Sequence, residues 1–550
     1  MIKKKREEHT NDRTETGSPD IFGRKQNVEP HLHVLSAKVY KPVTDLPEEI
    51  INFGFDAPYT LWLEEAPLTE DAAKALADGN GLAAIAAEHA GSVVFISPAN
   101  GWENADESLF TELIENSKIH QYYQDGYAEL NNRFTHQVEG YAIRGAIFRT
   151  CLYAKGAAAD YVATHLLKPI EGAGLWGPAD VTPAMCVLEG LTRMPVFGRR
   201  NMPVVSVNNT AEIDAAIAAG TDDCLFVKEA DYPELYRTFT GKTMRWGWVG
   251  DLQCSVDPDA IGMVREPGYF TIPTSPDNRG DDAGTREHAI GYLAWYNKGL
   301  LEIGKVPLLL CFHGGGDSAM YISEVSEWYR VAHDHDFLLV CVENHMNSTA
   351  TEMVALLERL KEKYPIDPEK VYASGFSMGG CKTWDLMQEY PQLFAGLAPM
   401  DATFDVGLNA FGQPAPKDIN RTEKVAVFYA GGEITPLPEL PFQATKCFDR
   451  IEWLLAVNDT ARRYETTFEE HENWAEPIWG IHGDRVTQIP DETRGSILTI
   501  QEFVSRDGET RTALASVSGQ GHECRYHTCE HAWRFISAFR RKSDGSLIRE

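Results

Sequence analysis

Ser377 sits in Gly375-Phe376-Ser377-Met378-Gly379-Gly380, between the β-rich run Lys370 to Ser374 and the helix-like run Cys381 to Tyr390. A serine hydroxyl in such a place is suited to attack a carbonyl carbon. The strand-to-helix turn is so tight that side chains flanking the serine would collide with the neighbouring strand and helix. The strained turn also pushes Oγ into the open. The amino end of the following helix adds partial positive charge where an anion would form. Ser377 is therefore read as a nucleophile.

Attack on a carbonyl creates an oxyanion that must be held. His313-Gly314-Gly315-Gly316 follows the apolar run Val306 to Phe312, and glycines there let backbone N–H groups come close to a substrate oxygen. The expected oxyanion hole pairs the N–H of Met378 with one from Gly315 or Gly316. His313 itself is read as structural.

The hydroxyl also needs a base. Gly519-Gln520-Gly521-His522 follows the last β-rich run, and a histidine there can reach across the top of a sheet to the serine. His522 is the expected base, ahead of His527 and His531, and a carboxylate partner would raise its pKa above the unperturbed value of about 6.5. For that carboxylate the run Gly431-Gly432-Glu433-Ile434-Thr435-Pro436-Leu437-Pro438-Glu439 offers Glu433 as the first choice. Glu439, Asp401 and Asp484 are the alternatives.

Elements in a set order are needed to bring these residues together. The second half of the chain alternates β-rich runs with helical ones, which marks a mainly parallel sheet with helices on both faces. About eight strands are expected: Gly268–Ile272, Ala289–Tyr296, Val306–Phe312, Phe337–Val342, Lys370–Ser374, Phe394–Met400, Val425–Ala430 and Ala513–Ser518. A turn-rich segment from Ser275 separates the first two as in a hairpin. Met353, Leu356, Leu357, Leu360 and Tyr364 recur at helical spacing over 351–364.

The 550 residues, 43% hydrophobic and 24% charged, exceed one ordinary core and imply two domains. A formal charge of −30 repels phosphate-rich partners, so neither nucleic acid nor an anionic membrane surface is expected as a ligand. No apolar run reaches membrane length, and the polar segment 1–30 reads as a flexible tail without an apolar signal core. The ten cysteines are scattered, several inside apolar runs, which suits reduced thiols in a cytoplasm. The cluster His522, Cys524, His527, Cys529, His531 holds good zinc ligands but lacks paired knuckle spacing, so no metal is expected.

From about Gly268 to Lys542 the chain resembles α/β-hydrolase esterases of the polyhydroxybutyrate-depolymerase and feruloyl-esterase type. The resemblance is carried by His313-Gly-Gly-Gly316, by Ile366-Asp-Pro-Glu-Lys-Val-Tyr-Ala-Ser-Gly-Phe-Ser377-Met-Gly-Gly380 and by Gly521-His522. It implies a serine, acid, histidine triad in that chain order, no cofactor, and short-chain or aromatic acyl esters as substrates. The expected partner is a small-molecule or oligosaccharide-linked ester, with a homo-oligomer left open. Such families often show an aspartate after a His-Gly pair, where this chain has Gly431-Gly432-Glu433.

The first half repays comparison with the second. By pattern, Phe148 to Val162 aligns with the strand and turn around Ser377 so that Gly156 matches Gly375 and Ala158 takes the nucleophile position. Ser92 to Pro98 matches Phe337–Val342, while Tyr59-Thr-Leu-Trp-Leu-Glu64-Glu65 stands where His313-Gly-Gly-Gly is expected. Serine and oxyanion glycines are both missing. The expected organisation is a tail over 1–30, an α/β domain over 31–257 that is an inactive hydrolase-like repeat or an unrelated fold, and a catalytic domain over 258–550.

Overall fold

The computed structural model describes residues 31–36, most of 59–106, 135–138, 141–144, most of 150–254, and 256, 258 and 260. In the second half it describes 261–550 except 316–317, 344, 410–412, 416–417, 436–444, 466–478 and 493–494. The expected tail over 1–30, Gly316 and Glu439 lie outside the described residues.

In the first half, seven strands form one sheet: β1 (His31–Ser36), β2 (Tyr59–Leu63), β3 (Ser92–Ser97), β4 (Thr150–Lys155), β5 (Met185–Glu189), β6 (Val204–Val207) and β7 (Cys224–Val227). The spatial order is β1-β3-β2-β4-β5-β6-β7, with β1 antiparallel to β3 and every other pair parallel. Helix α1 (Ala157–His165) follows β4 directly.

The second sheet has ten strands, two more than the sequence pattern suggested. They are β8 (Met263–Pro273), β9 (Glu287–Asn297), β10 (Val306–Phe312), β11 (Leu338–Val342), β12 (Ile366–Phe376), β13 (Gly396–Met400), β14 (Ala426–Gly432), β15 (Arg485–Asp491), β16 (Ser496–Val504) and β17 (Thr510–Val517). Their order is β8-β9-β11-β10-β12-β13-β14-β17-β16-β15. The additional strands are β15 and β16, an antiparallel extension at one edge. Most of β15 is exposed, so no core demanded the apolar alternation by which strands are read. At the opposite edge β8 and β9 form the expected hairpin.

Taken from β9 to β17, the second sheet repeats the first: β9-β11-β10-β12-β13-β14-β17 matches β1-β3-β2-β4-β5-β6-β7 in chain order, spatial order and direction. Both sheets bury apolar side chains on both faces. Along β10, Leu308, Leu310 and Phe312 join one core layer while Leu309 and Cys311 join the other, the period-two alternation of a fully covered strand. On the first face lie α3 (Ala350–Lys363), α4 (Met378–Glu389) and α5 (Thr445–Val457); on the second lie α2 (Trp328–His335) and α6 (Tyr526–Ile536). The first sheet has its own two layers, built wholly from residues before Arg237. Among the described residues, no helix is long and apolar enough to cross a membrane.

Candidate active site

β12 delivers Ser377 at its carboxyl end, and α4 begins at the next residue. Ser377 has φ 54° and ψ −119°, a combination that non-glycine residues rarely hold and that marks stored strain. The Ser377 N–H donates to the Met400 carbonyl at 3.0 Å, and the Ser377 carbonyl accepts the first helical bond from Cys381 at 3.0 Å. The glycines around it are sterically required. A Cβ on Gly375 would lie 2.1 Å from the Gly379 carbonyl oxygen, and one on Gly379 would lie 2.0 Å from that of Phe312. The amino end of α4 is thereby seated against the carboxyl end of β10, where the run His313-Gly314-Gly315 begins.

Met378 is the first residue of α4, so its N–H lies in the turn that the helix's own carbonyls leave unclaimed. Gly315 is half-buried just beyond β10. The loop's backbone is fixed by two buried imidazoles. His313 lies between the carbonyls of Gly314 and Glu343, and the His345 Nε2–H donates to the His313 carbonyl at 2.9 Å. Burial, reinforced by nearby His313 and Lys382, holds His345 well below the ordinary imidazole range, so it donates as a neutral ring. His345 was missed by sequence reasoning; nothing in its neighbours signals a partner 32 positions away.

His522 is buried on the loop after β17, its ring 4.5 Å from that of Phe376, the residue before Ser377. Burial pushes its imidazole down to about 3, opposite to the upward shift expected from a carboxylate partner. His522 is thus neutral, the form a base requires. The loop reaches this place because Gly432 has no side chain: a Cβ there would meet the Gly521 carbonyl oxygen at 2.0 Å.

The described carboxylates occupy different settings. Glu433 is exposed, accepts the Gly519 N–H at 2.9 Å, and donates its own N–H to Val517 at 3.0 Å, which ties it to the segment leading to His522. Asp401 is buried at the end of β13 and accepts the Gly432 N–H at 3.0 Å. Asp484 binds Arg462 at 2.6 Å beside the edge strands β15 and β16. His527 and His531 meet edge to face on α6, 5.0 Å between ring centroids. Cys524 faces Cys529 at 3.5 Å and Met400 at 3.2 Å rather than either histidine. Among the described residues, no group of three or more His, Cys, Asp or Glu side chains is placed to hold a metal ion.

In the first half, the residue between β4 and α1 is Gly156, with φ 55° and ψ −124°. Its N–H donates to the Glu189 carbonyl at 2.9 Å and its carbonyl accepts from Asp160 at 3.0 Å, as Ser377 does with Met400 and Cys381. The position equivalent to Ser377 is therefore Gly156. Ala158, to which the sequence pattern assigned it, is buried inside α1.

No family model matches the chain. It is 29% identical over 119 residues to a bifunctional acetylxylan esterase/xylanase of Neocallimastix patriciarum, covering 20% of this chain and 18% of that protein. It is 27% identical over 113 residues to a poly(3-hydroxyalkanoate) depolymerase C of Paucimonas lemoignei, covering 17% of this chain and 27% of that protein. The matches thus span about a fifth to a quarter of these curated relatives. Among solved structures, an acetyl xylan esterase from Aspergillus awamori is 11% identical, covers 49% of this chain and 98% of its own, and gives a TM-score of 0.30. In sequence, the chain resembles esterases of the α/β-hydrolase type.

Proposed function

We propose that the second half is a serine-dependent carboxylic ester hydrolase working through an acyl-enzyme. Ser377 Oγ attacks the ester carbonyl while His522 takes its proton. The oxyanion is met by the N–H of Met378 and by one from the Gly315–Gly316 loop. The protonated His522 then gives its proton to the leaving alkoxide, and water, activated by the same imidazole, releases the acid. Glu433 is the carboxylate of this reading, through its hold on the His522 loop. The observation that carries the proposal is the strained torsion of Ser377 at a strand-to-helix turn, with the His522 ring packed against the preceding residue.

Short-chain or aromatic acyl esters are the proposed substrates: acetylated sugars or hydroxyalkanoates, in keeping with the names of the two curated relatives, or feruloyl esters. A cytoplasmic location belongs to this reading and is tested by fractionation. The first half is proposed as a catalytically silent hydrolase-like repeat, on its matching strand order and on Gly156 in the nucleophile's place. A fluorophosphonate should label Ser377 and nothing in Ser377→Ala, while an ester panel set against a peptide panel tests the substrate class. Absence of labelling at Ser377 in the intact chain would refute the enzyme reading.

A further inference from the structure

Asp401 is a buried carboxyl that the proposed reaction leaves without a task. It follows Met400, whose carbonyl holds the Ser377 N–H. Its φ of 44° is unusual for a residue with a side chain, and its own N–H is fixed to the Ala430 carbonyl at 2.8 Å. Oδ1 accepts the Gly432 N–H at 3.0 Å, and the Glu523 N–H lies close to the same carboxyl. Oδ2 is buried without a hydrogen-bond partner among the described residues. One carboxyl therefore touches the strand beside the nucleophile, the residue before Glu433 and the residue after His522.

The first half shows that the turn itself needs no carboxyl. Glu189 pairs with Lys155 as Met400 pairs with Phe376, so the residue equivalent to Asp401 is Gly190, with φ 71°. Where the nucleophile is absent, glycine makes the same left-handed turn at no steric cost. Where the nucleophile is present, an aspartate bears the strain and the burial.

Resting on the esterase reading above, we propose that Asp401 is a positioning residue, its carboxyl holding the Glu433 turn and the His522 loop in register above Ser377. Burial pushes this carboxyl up to about 8, against the pull of the Gly432 and Glu523 N–H groups. Glu523 raises it further and Arg525 lowers it. A neutral carboxyl keeps an acceptor for Gly432 and gains a donor on Oδ2, so holding the two loops does not require its charge.

The test compares Asp401→Asn and Asp401→Ala, with kcat expressed per active site counted by the acyl-enzyme burst. The asparagine retains an acceptor oxygen and should lower kcat about tenfold or less. The alanine should lower it about a hundredfold with KM within about twofold, the scale expected when reacting groups are misplaced by about an ångström. Wild-type kcat per counted site in the alanine variant means a merely structural role and overturns the proposal. An asparagine variant as inactive as His522→Ala also overturns it, because Asp401 would then be the acid itself. The asparagine variant decides this alone if the alanine chain does not fold. Failure of the unsubstituted chain to label at Ser377 sinks the esterase reading, an outcome distinct from either of these.

Discussion

Ser377 and Gly156 hold the same backbone torsions at the same strand of two like-ordered sheets, φ 54°, ψ −119° and φ 55°, ψ −124°. Each donates its N–H to the last residue of the next strand, Met400 or Glu189, and each accepts the first bond of the following helix. The turn is thus a property of the strand-to-helix connection. What differs is whether its strained position carries a hydroxyl, and that difference makes strain measurable in both halves.

Ser377→Gly should stabilise the protein while abolishing turnover, because glycine enters this torsion without the about 1–3 kcal/mol of strain borne by other residues. Part of the gain is offset by the larger unfolded-state entropy of glycine, about 0.4–1 kcal/mol. Gly156→Ala should act oppositely and destabilise. Thermal or denaturant unfolding of the two variants checks the signs, and a Ser377→Gly chain less stable than Ser377→Ala contradicts the strain argument.

How much of this was legible depended on whether a residue's role is set by neighbours in sequence or across the sheet. Ser377, the glycines beside it and His522 follow local rules of tight turns and loop ends, and the His522 ring packs against Phe376, the residue before Ser377. Seven of the eight apolar runs of the second half became strands covered on both faces, while Gly268–Ile272 lies in the edge strand β8 with Tyr269 and Thr271 exposed. β15 escaped because an exposed edge strand needs no apolar pattern. The two-residue error at Ala158 has a clear origin: glycines flank the serine in the second half, whereas in the first half a glycine itself takes the strained position. His345 and Asp401 derive their roles from partners 32 and 31 positions away, which no local pattern encodes.

The acid limb of kcat/KM should lie well below the unperturbed imidazole value of about 6.5, since burial pushes His522 to about 3 and the neutral base persists into acid. Stability responds with a definite sign. Between about 6.5 and 3 the unfolded chain takes a proton at His522 that the folded chain refuses, so stability falls as pH falls. Asp401 works in the other sense: its folded value of about 8 exceeds the unfolded about 3.9, so its contribution is full below about 3.9 and is lost as pH rises through about 8. Denaturant titrations across pH should show His522→Gln removing a rise in stability with pH between about 3 and 6.5, and Asp401→Asn removing a fall with pH between about 3.9 and 8. Unchanged slopes in both variants would contradict the burial of these groups.

Gly432→Ala should impair catalysis through the histidine loop. The added methyl would stand 2.0 Å from the Gly521 carbonyl oxygen and 2.5 Å from that of Gln520, so the loop must move away from β14. Displacement of His522 by about an ångström would lower kcat about a hundredfold with the fold retained. Fluorophosphonate labelling of Ser377 should slow in parallel, because the same base activates the serine toward either electrophile. Normal labelling and turnover in this variant would mean that the loop can rise over Gly432 without carrying His522 with it.

Gly156→Ser in a Ser377→Ala background should remain as inactive as Ser377→Ala alone. The new hydroxyl would occupy the torsions that expose Ser377, so the turn is not the obstacle. What it would face is different. β2 is followed by Glu64 and Glu65 where β10 is followed by His313 and Gly314, and Glu65 Oε1 would lie 3.5 Å from the new Cβ, placing an acidic side chain where an oxyanion needs N–H donors. β7 is followed by Lys228-Glu229-Ala230-Asp231, with no histidine to take the hydroxyl proton. Nucleophile, base and hole contribute as a unit, and a serine supplied alone gains little of their joint effect. The comparison is made on the most reactive ester found for the unsubstituted chain, with covalent labelling mapped by mass spectrometry. Labelling at residue 156, or turnover above that of Ser377→Ala, would show that the first half retains a working base and hole from residues other than these, and its assignment as a silent repeat would be wrong.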